Sequence, residues 1–97
     1  MTDEQIRDVT VGRTVRSVNI VTGFEVTLHY GVDGNRLLMG LGDRPVVTSY
    51  EIRDGQRIET SLLGDRMSIA LFSVDGRTLG ARADEAGYIN YEAFTTN

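Results

Sequence analysis

Between residues 24 and 30 apolar and polar side chains alternate without a break. Phe24, Val26, Leu28 and Tyr30 lie on one face, Glu25, Thr27 and His29 on the other. Alternation with one polar face is the mark of an antiparallel strand half buried against a core. The pattern recurs down the chain. Val46, Thr48, Tyr50 and Ile52 share a face, as do Ile58, Thr60 and Leu62, and then Met67, Ile69 and Leu71. Eight β-like runs follow in all: Thr14–Val21, Phe24–Tyr30, Arg36–Leu41, Val46–Ile52, Arg57–Leu62, Met67–Ser73, Thr78–Ala83 and Tyr88–Phe94. In the first, Val15 and Val21 fall on one face and Val18 and Ile20 on the other, which predicts a bulge near Ser17-Val18-Asn19. Pro45, the sole proline, stands at the start of the fourth run, where a missing N–H is tolerated.

Turn chemistry separates the runs. Asp-Gly occurs at residues 33–34, 54–55 and 75–76, at a constant spacing of 21. Between alternating runs this dipeptide predicts type I′ hairpins, which need positive φ at both central residues. Gly42-Asp43 and Gly64-Asp65 fall between them. Ahead of the strands, Thr2 and Gln5 have capping-box spacing. Residues 3–9 are expected to form one or two helical turns with Ile6 and Val9 on one side, ended by Gly12. So short a helix must dock on the sheet.

Short connections and no crossover helix define an all-β, eight-stranded antiparallel up-and-down meander. Such a sheet hides its edges by closing into a small barrel, last strand beside first; a two-layer sandwich is the alternative. The 97 residues form one domain, 1–12 a helical plug and 13–97 the barrel. In a meander successive turns alternate between the two ends. The Asp-Gly turns then share one pole with the helical plug. The Gly-Asp pole is left as the candidate mouth, where small barrels place ligands. Phe24, Leu41, Val46, Leu62 and Met67 should face inward near it, with Arg44, Arg66, Asp84 and Glu85 at the rim. A barrel of eight strands is only just filled by its own side chains. A filled core and a usable cavity therefore both remain open.

Composition narrows the chemistry. Net charge is −4, and every basic residue is arginine. An acidic chain with scattered arginines is poorly suited to nucleic acid, so no such partner is expected. Without lysine there is no Schiff base, and without cysteine there is no disulfide scaffold, thiolate site or cysteine nucleophile. No stretch is long enough for membrane insertion. The polar, acidic start does not read as a signal peptide; the expected location is cytoplasmic, or periplasmic if Met1 was joined to a mature exported chain.

His29, the sole histidine, falls on a polar strand face, which reads as an exposed sheet residue rather than a base or ligand. No metal and no cofactor are implied, and the Asp-Gly turns lack the oxygen series of a calcium loop. Glu59, Glu85 and Glu92 are the carboxylates that could pair. The last run has two candidate faces. Ile89, Tyr91 and Ala93 form the more apolar one and are expected inward. The opposite register would bury Tyr88, Asn90, Glu92 and Phe94, with Arg82 on the neighbouring strand as a charge-assisted partner. Inward Tyr50, like Tyr30, would also need a hydroxyl partner.

Val11-Gly12-Arg13-Thr14-Val15, Tyr30-Gly31-Val32-Asp33-Gly34 and the closing Gly87-Tyr88-Ile89-Asn90-Tyr91-Glu92 resemble small bacterial lipocalin-like, calycin-type barrels. The chain is shorter than typical lipocalins and lacks their tryptophan near the first strand. The resemblance implies a barrel that binds a small apolar ligand; a few similar barrels are enzymes, but no catalytic motif carries over. Ligand-binding candidates are Phe24, Leu41, Tyr50, Met67, Arg82, Tyr88, Asn90 and Glu92, with no catalytic residue assigned. Two further readings stand beside this one. A filled barrel would serve as a protein-interaction or self-assembly module, including a homodimer, with Ala70 and Phe72 marking an apolar outer strip. An enzyme would use Arg82, Asn90 and Glu92.

Overall fold

The structure, a computed structural model, describes residues 1–40, 42–61 and 63–96. One helix, α1 (Asp3–Thr10), precedes eight strands: β1 (Thr14–Asn19), β2 (Glu25–Tyr30), β3 (Asn35–Met39), β4 (Val46–Arg53), β5 (Gln56–Thr60), β6 (Arg66–Val74), β7 (Arg77–Ala83) and β8 (Ile89–Thr96). Each strand pairs antiparallel with the next, and β8 pairs with β1, so the meander closes into a barrel.

Thr2 caps α1 as its spacing predicts. Its hydroxyl accepts from the Gln5 N–H, and the Gln5 side chain accepts from the Thr2 N–H. Ile6 and Thr10 are buried and Val9 packs beside them. The helix sits at the Asp-Gly pole: Asp3 Oδ1 accepts from the Gly55 N–H at 2.6 Å, and the Gly12 N–H donates to the Tyr30 carbonyl at 2.7 Å.

Two Asp-Gly turns have the expected geometry, with Asp54 and Gly55 at φ 54° and 73° and Asp75 and Gly76 at 50° and 78°. The first differs. The Gly31 N–H donates to the Asn35 carbonyl and the Gly34 N–H to that of Gly31. The result is a three-residue loop with Gly34 alone carrying the left-handed turn at φ 88°.

The predicted bulge in β1 is absent. Pairing with β2 runs without interruption from Thr14 opposite His29 to Val18 opposite Glu25. Ser17 faces inward beside Val15 because it has a polar partner there, and Val18 and Ile20 go to the outer side. A second correction concerns β5, where Arg57 and Glu59, not Ile58 and Thr60, are buried; Leu62 lies outside the described residues. The cause is the two-residue turn at 54–55. It sets Ile52 opposite Arg57, and directly opposed residues share a face. The turn at 75–76 likewise sets Leu71 opposite Gly80 and Ile69 opposite Arg82. Gly80 in turn lies opposite Glu92. Glu92 and Phe94 therefore point inward, while Ile89 and Tyr91, expected inside, stand 56% and 50% exposed on the outer wall.

The core has two parts joined by Phe94. Ile6, Ile69 and Leu71 form one; Val15, Leu28 and Tyr30 form the other. Gly80 lies directly under the Phe94 ring. A Cβ there would stand 2.5 Å from Phe94 Cε2 and 3.0 Å from Ile69 Cγ2. Gly80→Ala should therefore lower stability by about 1–3 kcal/mol through overpacking, read as a lower urea midpoint at unchanged slope.

Candidate functional site

Beneath the core, the lumen holds charge. Glu59 on β5 is fully buried. Its Oε2 accepts from the Tyr30 hydroxyl at 2.6 Å and from Arg57 Nε at 2.7 Å; its Oε1 meets Arg82 Nη1 at 2.8 Å and Arg36 Nη2 at 3.1 Å. Both oxygens are thus saturated by three guanidinium groups and a phenol, contributed by β2, β3, β5 and β7. Arg82 reaches a second carboxylate, Glu92, through Nε and Nη2, and Ser17 Oγ donates to Glu92 Oε2 at 2.9 Å.

The arginines are held from their other sides. Arg57 lies over the Tyr30 ring at 4.4 Å and the Phe94 ring at 5.0 Å, and its Nη1 donates to Thr10 Oγ1 on α1. Arg36 Nη1 donates to Thr48 Oγ1. Arg36 Nε and Arg57 Nη2 are buried donors without a partner among the described residues. Three arginines against two glutamates leave the lumen at +1, inside a chain whose net charge is −4.

This environment fixes protonation. Burial alone would raise the Glu59 carboxyl, but Arg57, Arg82 and Arg36, with the Tyr30 hydrogen bond, outweigh it and hold it at about 2. Burial, reinforced by the Glu59 charge, pushes the Tyr30 phenol above its ordinary value. Burial works against the charge of Arg82, yet Glu59 and Glu92 more than offset it and its pKa rises. Near neutral pH the carboxylate stays charged and the phenol protonated. A general acid or base works best when it titrates near the operating pH, and both groups are driven away from it. Glu59 and Tyr30 are thus set to hold their charge states rather than to exchange protons.

The site candidates scatter. Arg82 and Glu92 meet in the lumen. Met67 is half-buried, its sulfur 3.4 Å from Arg82 Nη1. Asn90 is opposite Arg82 in the ladder but exposed. Phe24, expected inward, and Tyr88, inward in the alternative register of the last run, are 67% and 73% exposed. The reason is depth: Phe24 and Tyr88 precede the first residues of β2 and β8 and stand at the lip, above the enclosed part of the lumen. Tyr50 turns towards the plugged pole, donating to the Gly31 carbonyl at 2.6 Å and meeting Tyr30 edge-on at 5.0 Å. Leu41 lies outside the described residues. His29 is half-buried on the outer face, its Nδ1 3.0 Å from Thr14 Oγ1. Among the described residues no group of His, Asp or Glu is arranged to hold a metal, and no helix is long and apolar enough to cross a membrane.

Arg36 and Arg57 were not among the candidates, and Glu59 entered only as a carboxylate in search of a partner. Register was the missing signal: with Ile52 inward, a two-residue turn requires Arg57 inward, and Glu59 follows two residues on.

Near the Gly-Asp pole a hollow of about 340 Å³ is lined by Arg36, Leu38, Ser61, Leu63 and Met67. Ser61 Oγ accepts from the N–H groups of Leu63 and Asp65, which leaves its own proton to donate. Arg66 N–H donates to Glu85 Oε1, tying the two neighbouring rim turns together. Comparison of the chain with family models, curated proteins and solved structures finds no match.

Because its folded-state pKa is depressed, Glu59 contributes stability that is present above its unfolded value near 4.5 and lost as pH falls towards 2. The loss should reach on the order of 3 kcal/mol across that window, measured as urea midpoints against pH. Glu59→Gln, which leaves three arginines facing one carboxylate, should cost about 3–5 kcal/mol at neutral pH and flatten that acid limb.

Proposed function

We propose that this chain is a non-catalytic, lipocalin-like binding module for a small molecule with an apolar body and an anionic head, seated in the hollow at the barrel mouth. The observation that carries the reading is the lining of that hollow. Leu38, Leu63 and Met67 offer apolar contact, while Arg36 and Ser61 offer donors. The excess positive charge of the lumen supports an anion over a cation or a neutral molecule. Against catalysis by the Arg82, Asn90 and Glu92 group, Asn90 is exposed and Glu92 is engaged by Arg82 and Ser17.

Titration with octanoate, followed by backbone amide shifts, should perturb residues around Arg36, Ser61 and Met67. Octanol, which lacks the charge, should bind about ten- to a hundredfold more weakly, the value of a charge-assisted hydrogen bond of roughly 1.5–3 kcal/mol. Ser61→Ala, which leaves the lumen ion pairs intact, should weaken octanoate by several-fold. Absence of shifts with octanoate, or equal binding of octanol, would reject the reading.

A further inference from the structure

Apolar surface gathers on one side of the barrel. β1 lies next to β8, and the Ile20 N–H donates to the Tyr91 carbonyl, so the β1–β2 turn and the start of β8 are neighbours. There Ile20, Val21, Phe24, Tyr88, Ile89 and Tyr91 are each half exposed or more. At about 200 Å² per large apolar side chain, these six leave on the order of 700 Å² in water. The largest patch on a typical monomer is roughly 300–600 Å². A standard interface takes roughly 800 Å² from each partner.

The patch continues over the outer wall of β8, β7 and β6. Directly opposed pairs there are Tyr91 with Ala81, Ile89 with Ala83, Ala93 with Leu79, Leu79 with Phe72, and Ala81 with Ala70. Among these described outward positions none is charged. Charges stand at the border: Arg66 and Arg77 at the ends of β6 and β7, Arg16 on β1, and Asp84 and Glu85 in the β7–β8 turn.

We propose that this wall, with the adjoining lip, is the surface through which two copies of the chain associate face to face. Closure of the barrel leaves no free strand edge, so a partner must pack on a face. The wall is complementary to itself: Tyr91 and Ile89 project beside the low surface of Ala81, Ala83 and Ala93. A twofold axis through the wall seats the ridge of one copy on the alanines of the other, and a twofold dimer is the commonest symmetric assembly. The acidic chains bring no like charges together across an uncharged centre. Area, composition and relief thus fit a second copy. The surface is separate from the hollow proposed for the ligand and does not depend on it.

Sedimentation equilibrium from about 1 µM to about 1 mM covers the affinities such an interface gives. The wild type should pass from monomer to dimer mass across that range. Ile89→Lys and Tyr91→Arg should each shift the midpoint at least tenfold towards monomer, with far-UV circular dichroism unchanged. Independently of any variant, amide shifts of the wild type should move with concentration on β7, β8 and residues 20–24, and not on β3 or β4. A monomer throughout the range, a dimer unaffected by both substitutions, or concentration shifts mapping to β3 and β4 would each overturn the proposal. So would a monomer that binds phosphatidylcholine vesicles through the same residues.

Discussion

The fold turns on one buried carboxylate. Glu59 is taken wholly out of water, and a desolvated anion survives only if cations and donors surround it. Here Arg36, Arg57, Arg82 and Tyr30 do so, and Arg82 passes the demand on to Glu92 and Ser17. All eight strands take part once Thr48 beneath Arg36 and the Met67 sulfur beside Arg82 are counted, and α1 joins through Thr10. A solely apolar lumen would tolerate small slips of one strand against the next. This one does not, because a single-residue slip would send Glu59 or one of its arginines to the outside and leave the remainder unpaired. The polar network therefore specifies the register of the barrel as well as filling it.

Much of this architecture is written in local pattern. Alternation marks the strands, Asp-Gly marks the turns of one pole, and Thr2 with Gln5 marks the start of α1. The functional interior is not written that way. Hydropathy chooses Ile58 over Glu59 and Tyr91 over Glu92 because it weighs each strand alone. The decision is made elsewhere, by two-residue turns that carry the facing of Ile52 to Arg57 and of Ile69 and Leu71 to Arg82 and Gly80. Phe24 and Tyr88 illustrate a different gap. Their parity is inward, but parity gives a face and not a depth, and both lie beyond the closed part of the ladder.

With its centre occupied by paired charge, the barrel offers recognition at its periphery. Arg36 connects the two regions, one end of its side chain bound to Glu59 and its body lining the hollow at the mouth. The apolar wall of β6 to β8 is physically distinct, on the outer face of the sheet whose inner face borders that hollow through Met67. The same inversion accounts for both: charged residues turned inward from β5, β7 and β8 leave Ile89, Tyr91 and the alanines to face solvent.

Pairing of β1 with β8 joins residues 15–19 to residues 92–96, and the Ser17–Glu92 hydrogen bond spans most of the chain. The other ladders are hairpins and close over short loops; this one must bring distant segments together before it yields any contact. Topologies governed by such distant contacts fold slowly. Until the seam is made, β1 and β8 are both open edges, and Glu92 lacks the Ser17 hydroxyl. The seam is thus the step at which an open, edge-exposing sheet becomes a sealed one, and its lifetime open sets how long the chain is vulnerable to pairing with strands other than its own.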